Sequence, residues 1–214
     1  MNSSRQHHPR AMRGSVNRHP TRSARPVAAF RQRGAPNSPS PSFSAPEVWY
    51  QPLGRAQPLL ICQDPGDGYV HAVTTQQIRE RLADLPADIV QSVEVVQLSQ
   101  MTRKRALFPR YGMQWGQNVY LYPIEGSLVE RYLRPPTPQQ RIEAQMFGGI
   151  WSAQSREWRL TWTESTLRDF YLNNVLIHEI GHVIDNRNTN AHKREQFANW
   201  FATEYGYRAS RGRR

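Results

Sequence analysis

The chain has 214 residues, enough for one domain with an appendage, and a formal net charge of +11. Its one cysteine, Cys62, excludes an internal disulfide and any zinc cluster built on cysteines. No stretch approaches the ~20 consecutive apolar residues of a membrane span, and Val27 to Phe30 is too short for a secretory core, so a cytoplasmic protein with no membrane partner is expected.

The charge is unevenly spread. Residues 1–46 hold eight arginines, from Arg5 to Arg33, and no Asp or Glu, so taking those eight from +11 leaves +3 for Glu47 onward. Runs such as Ala35-Pro36-Asn37-Ser38-Pro39-Ser40-Pro41-Ser42 have almost nothing to bury and cannot offset their ordering entropy. Residues 1–46 are therefore expected to be a disordered tail. An arginine-rich arm of this kind can also touch nucleic-acid phosphates weakly, in a salt-dependent way.

From Glu47 to Tyr207 the composition is that of one folded domain. Val48-Trp49-Tyr50 and Leu59-Leu60-Ile61-Cys62 read as short strands, with a turn at Asp64-Pro65-Gly66-Asp67-Gly68. Thr74 or Thr75 caps a predicted helix through about Ala83, which Leu85-Pro86 ends. Val93, Val95 and Val96 lie in a strand running to Leu98, and Arg103-Lys104-Arg105 reads as a solvated loop. Asn118 to Ile124 is expected to be an edge strand, because Pro123 cannot donate to a ladder. A brief helix is predicted over Gly126 to Arg134, and a second begins with Thr137 as cap and Pro138 at its first position. The second carries Ile142, Met146 and Phe147 inward. Trp151 and Trp158 to Trp162 read as strands, and the six tryptophans as core.

Thr163 to Thr166 opens a long helix that should end near Asn186 to Asn188. Asn190 can cap a final helix from Ala191 to Tyr205, with Gly206 just past its end and a basic tail over residues 208–214. The long helix contains Val175-Leu176-Ile177-His178-Glu179-Ile180-Gly181-His182-Val183-Ile184-Asp185. His178 and His182 are four residues apart, so they share one helix face and can grip one metal ion. Glu179 stands beside them, where its carboxylate can take a proton from a bound water; this is the His-Glu-x-x-His arrangement of zinc hydrolases. Gly181, costly by about 1 kcal/mol in a helix, leaves room for a neighbouring element.

A catalytic zinc ion usually has three protein ligands and one water. Glu195 on the final helix is the preferred third ligand, and His192 its rival. Asn199, one turn on from Glu195, can orient a ligating histidine by hydrogen bonding. Tyr205, Tyr207 and His192 are candidate donors to an oxyanion.

His178-Glu179-Ile180-Gly181-His182 followed by Glu195-x-x-x-Asn199 resembles the gluzincin metallopeptidases. The stretch Glu195-Gln196-Phe197-Ala198-Asn199-Trp200-Phe201-Ala202 is similar to the ImmA/IrrE-type peptidases. The resemblance covers Leu167 to Tyr205, under a fifth of the chain. It implies an α+β, zincin-like fold, in which a small mixed or antiparallel sheet packs on the motif helix and a C-terminal helix. It also implies Zn2+ as cofactor, and hydrolysis of a protein or peptide substrate with Glu179 as general base. Two alternatives stay open: a protease like the SprT-type, nucleic-acid-associated enzymes, with His192 as third ligand, or a non-catalytic zinc-binding module.

Overall fold

The short apolar and aromatic runs become strands, the capped segments become helices, and together they make a mixed α+β fold. The computed structural model describes residues 50–51, 53–107, 109–154 and 157–212; residues 1–46, Val48 and Trp49 lie outside these. The first half contains β1 (Leu59–Cys62), β2 (Tyr69–Val70), α1 (Thr75–Ala83), α2 (Ala87–Gln91), β3 (Val95–Leu98) and α3 (Arg103–Leu107). Then come β4 (Gly112–Trp115), β5 (Asn118–Leu121), β6 (Ile124–Glu125), β7 (Val129–Tyr132), α4 (Pro138–Met146), β8 (Ile150–Gln154) and β9 (Glu157–Thr161). Last are α5 (Glu164–Phe170), a π-helical turn (Tyr171–Val175), α6 (Leu176–Ile184), α7 (Ala191–Phe201) and a second π-helical stretch (Ala202–Arg208). No helix among the described residues is long and apolar enough to cross a membrane.

The main sheet has the order β1-β3-β5-β4, with β1, β3 and β5 parallel and β4 antiparallel to β5. Val96, Leu98, Val119 and Leu121 form one core with Leu176, Ile177 and Ile180. Burying each such side chain stabilises by about 1.5–3 kcal/mol, whereas a helix cap contributes about 1 kcal/mol. The apolar stripe, rather than any cap, therefore seats α6 in the core. A second, antiparallel sheet has the order β7-β9-β8, and β2 pairs with β6.

Several sequence expectations hold. Thr74 and Thr137 close reciprocal capping boxes with Gln77 and Gln140, and Thr163 does the same with Thr166, whose hydroxyl takes the part usually played by a longer side chain. Others need correction. The Asn118 to Ile124 strand is not an edge: β5 lies between β3 and β4, all four of its residues are buried, and Pro123 falls beyond it. Its two faces are both apolar or aromatic because both are covered. The edge is β4. Gly126 to Arg134 is no helix; Val129 to Tyr132 is strand β7, consistent with the β preference of its Val and Tyr. Arg103 to Leu107 is a short helix rather than a loop.

In α4, Phe147 is buried as expected and Met146 packs against the core, but Ile142 is 59% exposed and Ala144 is buried instead. Trp162 is buried, but Trp115 and Trp200 are about half exposed, so the tryptophans are not uniformly core. The motif helix ends at Ile184, short of Asn186. Gly206 does not terminate the last helix, which continues through it to Arg208. A Cβ on Gly206 would lie 1.9 Å from the Asn173 carbonyl oxygen, so glycine serves close packing of the two π-helical stretches there. Arg81 fastens that contact, donating to Asn173 Oδ1 at 2.6 Å and to the Tyr205 carbonyl. Arg211 is anchored on Asp169 at 2.6 Å rather than lying in a free tail.

Candidate metal centre

Three donors converge where α6 meets α7. His178 Nε2 and His182 Nε2 are 3.1 Å apart, and Glu195 places one carboxylate oxygen 3.5 Å from the first and the other 3.4 Å from the second. Zinc bonded tetrahedrally at ~2.0–2.1 Å would set its ligand atoms about 3.3 Å apart, so this triangle is of the right size for one ion. Among the described residues it is the one His/Cys/Asp/Glu group whose ligand atoms lie within 4.8 Å of one another. Glu195 is 59% exposed on its side chain, which leaves solvent access on the open side.

The local sequence explains the convergence. The four-residue spacing stacks the two histidines, with ring planes 83° apart. Asp185 then turns the chain: its Oδ1 accepts from the backbone of Arg187 and Asn188, at 3.4 and 3.2 Å, and its carboxylate binds the Asn188 amide. Asn190 caps α7 and starts it back along α6. Gly181 lets the helices meet, since a Cβ there would lie 3.0 Å from Ala198 Cα and 3.2 Å from Phe201 Cβ. Glu195, one turn before Ala198, is thereby brought to the histidines. Arg194 donates to the His182 carbonyl at 3.2 Å and to Gln114 Oε1 at 3.4 Å, tying α7 to the C-terminal end of α6 and to β4.

The charges reinforce one another. Hydrogen bonds from His178 and His182 hold the Glu195 carboxylate well below the usual range. Burial pulls the His178 ring down, but Glu195, Glu179 and Glu143 outweigh it and the net shift is upward. Glu143 comes from α4, where its carboxylate also accepts from the Asn174 amide.

Glu179 lies 8% exposed beneath β4. Burial pushes its carboxyl up, partly offset by the charges of His178 and His182 and, more weakly, of Arg110. No side chain or backbone group among the described residues donates a hydrogen bond to it. Its closest cover is Gly112, where a Cβ would lie 2.8 Å from Glu179 Cγ and Oε1. Gly112 was not singled out from sequence; its only signal is a glycine opening a strand, which marks a close backbone approach.

Above the site runs the β4 edge. The Tyr122 N–H donates to the Tyr111 carbonyl at 2.8 Å, and the register pairs Gly112 with Leu121 and Gln114 with Val119. In an antiparallel pair, bonded and non-bonded residues alternate, so the backbone groups of Gly112 and Gln114 point away from β5. No strand among the described residues pairs with that side.

The remaining candidates lie elsewhere. His192 is exposed and its Nε2 contacts Gln196 at 3.0 Å, outside the triangle. The Asn199 side chain bonds neither histidine among the described residues. Tyr205 stacks on Phe201 at 4.4 Å and Tyr207 packs edge-on against Phe147 at 5.3 Å. In comparisons with known proteins, the chain matches no family model, no curated protein and no solved structure.

Proposed function

We propose that the protein is a zinc-dependent metallopeptidase of zincin-like architecture, with His178, His182 and Glu195 as metal ligands and Glu179 as general base. The observation that carries this reading is a pairing: three donors spaced for one ion, beside a buried carboxylate to which nothing among the described residues donates. Zinc held there would lower the pKa of a bound water toward ~7 and polarise a carbonyl. Glu179, its oxygens uncommitted and its affinity for a proton raised by burial, accepts the proton of the attacking water and passes it to the leaving amine. The outward backbone groups of Gly112 and Gln114 offer an extended peptide a strand to pair with, directly over Glu179.

The same arrangement supports Glu195 over His192 as third ligand, and an open, catalytic site over a closed four-ligand one. A reducing, cytoplasmic setting suits the free thiol of Cys62. Metal content by mass spectrometry on the wild type, Glu195→Ala and His192→Ala tests the reading. About one zinc per chain is expected in the wild type and in His192→Ala, with loss in Glu195→Ala. The reverse pattern would move the third ligand to His192, and a wild type that cannot be loaded would end the metallopeptidase reading.

A further inference from the structure

We propose, resting on the peptidase reading, that Arg110 selects substrates bearing a carboxylate close to the scissile bond, by an ion pair at the entry to the β4 edge. Arg110 is exposed, and among the described residues it makes no ion pair and donates no hydrogen bond. The other guanidinium groups around β4 are committed. Arg194 holds the His182 carbonyl and Gln114, and Arg105 lies 4.3 Å over the Tyr122 ring and reaches Met113 Sδ at 3.4 Å.

Position gives the free cation its meaning. Arg110 precedes Gly112 by two residues, a span of at most about 7 Å, and Gly112 sits directly on Glu179. Its charge is felt at Glu179, yet the two form no ion pair, so the guanidinium lies within electrostatic reach of the proposed general base without being consumed by it. Glu143, Glu179 and Glu195 make the site itself acidic. Arg110 offers an opposite charge within electrostatic reach of Glu179. A planar guanidinium fork matches a carboxylate, which a peptide can present as an Asp or Glu side chain or as its own C-terminus.

The test uses the zinc-loaded full chain and three matched peptide sets, built around a bond found by digesting a mixed peptide pool. One set carries Asp or Glu beside the bond and an amidated end, one is neutral with a free C-terminal carboxylate, and one is neutral and amidated. In the wild type, kcat/KM for one carboxylate set should exceed that of the neutral amidated set about tenfold, the effect of a single well-placed charge pair. That ratio should shrink as salt is raised, because exposed charges are screened. Arg110→Glu should invert the ratio, while Lys104→Ala, an exposed cation on α3, should leave it alone. Which carboxylate set is preferred identifies the source. Equal cleavage of all three sets, or a preference that survives Arg110→Glu, overturns the proposal and leaves the peptidase standing. No cleavage of any peptide with zinc bound overturns the peptidase reading itself, and this inference with it.

Discussion

Glu130 and Glu179 are carboxyls that burial pushes up, and they lie on either side of the Tyr111–Gly112 segment. Around Glu130 the protein supplies neutral donors: the Tyr111 hydroxyl at 2.8 and 2.9 Å to its two oxygens, Trp162 Nε1 at 2.9 Å and the Tyr132 hydroxyl at 3.2 Å. Around Glu179 none of the described residues donates, and a glycine lies against the side chain instead. The first carboxyl is thereby fixed and chemically idle, a polar bolt joining β7 to the start of β4 and to β9. The second is desolvated but left free to bind a water. Neither Glu179 oxygen is among the fully buried, unpartnered polar atoms of the described residues, so the carboxylate keeps the access to water that the proposed proton-transfer role requires. The difference between an acid tied into the structure and an acid left open for the proposed chemistry thus lies in its neighbours, since the residue type is the same.

Exchanging each acid for its amide would sharpen this contrast most. Glu179→Gln should lower peptide hydrolysis by about 10²–10⁴-fold, the usual scale of general-base catalysis, with zinc content and melting temperature close to wild type. If Glu179→Gln kept full activity, the proton would be going elsewhere. The cover over the free acid comes next. Gly112→Ala would put a methyl 2.8 Å from Glu179 Oε1 and 2.9 Å from Val175 Cγ1, displacing the carboxylate or lifting β4. A loss of activity of about 10²-fold is expected, as for an ~1 Å misplacement, with zinc retained and a stability cost of ~1–3 kcal/mol. Unchanged kinetics in that variant would mean that Glu179 tolerates relocation, against the role given to its position.

The structural acid responds differently. Tyr111→Phe withdraws a donor from both Glu130 oxygens, and urea unfolding should show a loss of about 1–3 kcal/mol. Zinc content should not change, because the proposed metal ligands are on other elements. The smallest effect is one of pH. The carboxyl of Glu130 is raised above its ordinary 4.5, so above 4.5 the folded protein holds this proton more tightly than the unfolded chain does. Wild-type stability relative to Glu130→Gln should therefore be fully present below pH 4.5, and be lost as pH rises from there through the raised value. Parallel pH profiles for the two proteins would show that the neutral donors fully compensate the buried charge.

Much of the molecule was legible without coordinates. Thr74, Thr137 and Asn190 announced their helices because a cap needs only a hydroxyl or amide and the residues two or three positions on. His178, Glu179 and His182 were legible because helical spacing alone puts them together. Glu195 could be selected because the final helix had to return and it stood on the face able to reach the histidines. The edge strand was misassigned because Pro123 signals the end of a strand, whereas the edge is set by which strand lacks a partner. The π-helical turns were not legible either. Their widened backbone is tied to the contact between Gly206 and Asn173, which are distant in sequence.

The sequence by itself determined the chemistry available: two stacked imidazoles, a neighbouring carboxylate, a carboxylate on the next helix, and an arginine-rich stretch apart from them. These depend on local backbone geometry and on residue type. Only the tertiary structure decided which acid is free. The isolation of Glu179, the satisfaction of Glu130, the exposure of β4 and the uncommitted state of Arg110 are all properties of residues far apart in the chain, brought together by packing. Burial and pairing are set by the sum of all neighbours in space, and local spacing carries no record of that sum.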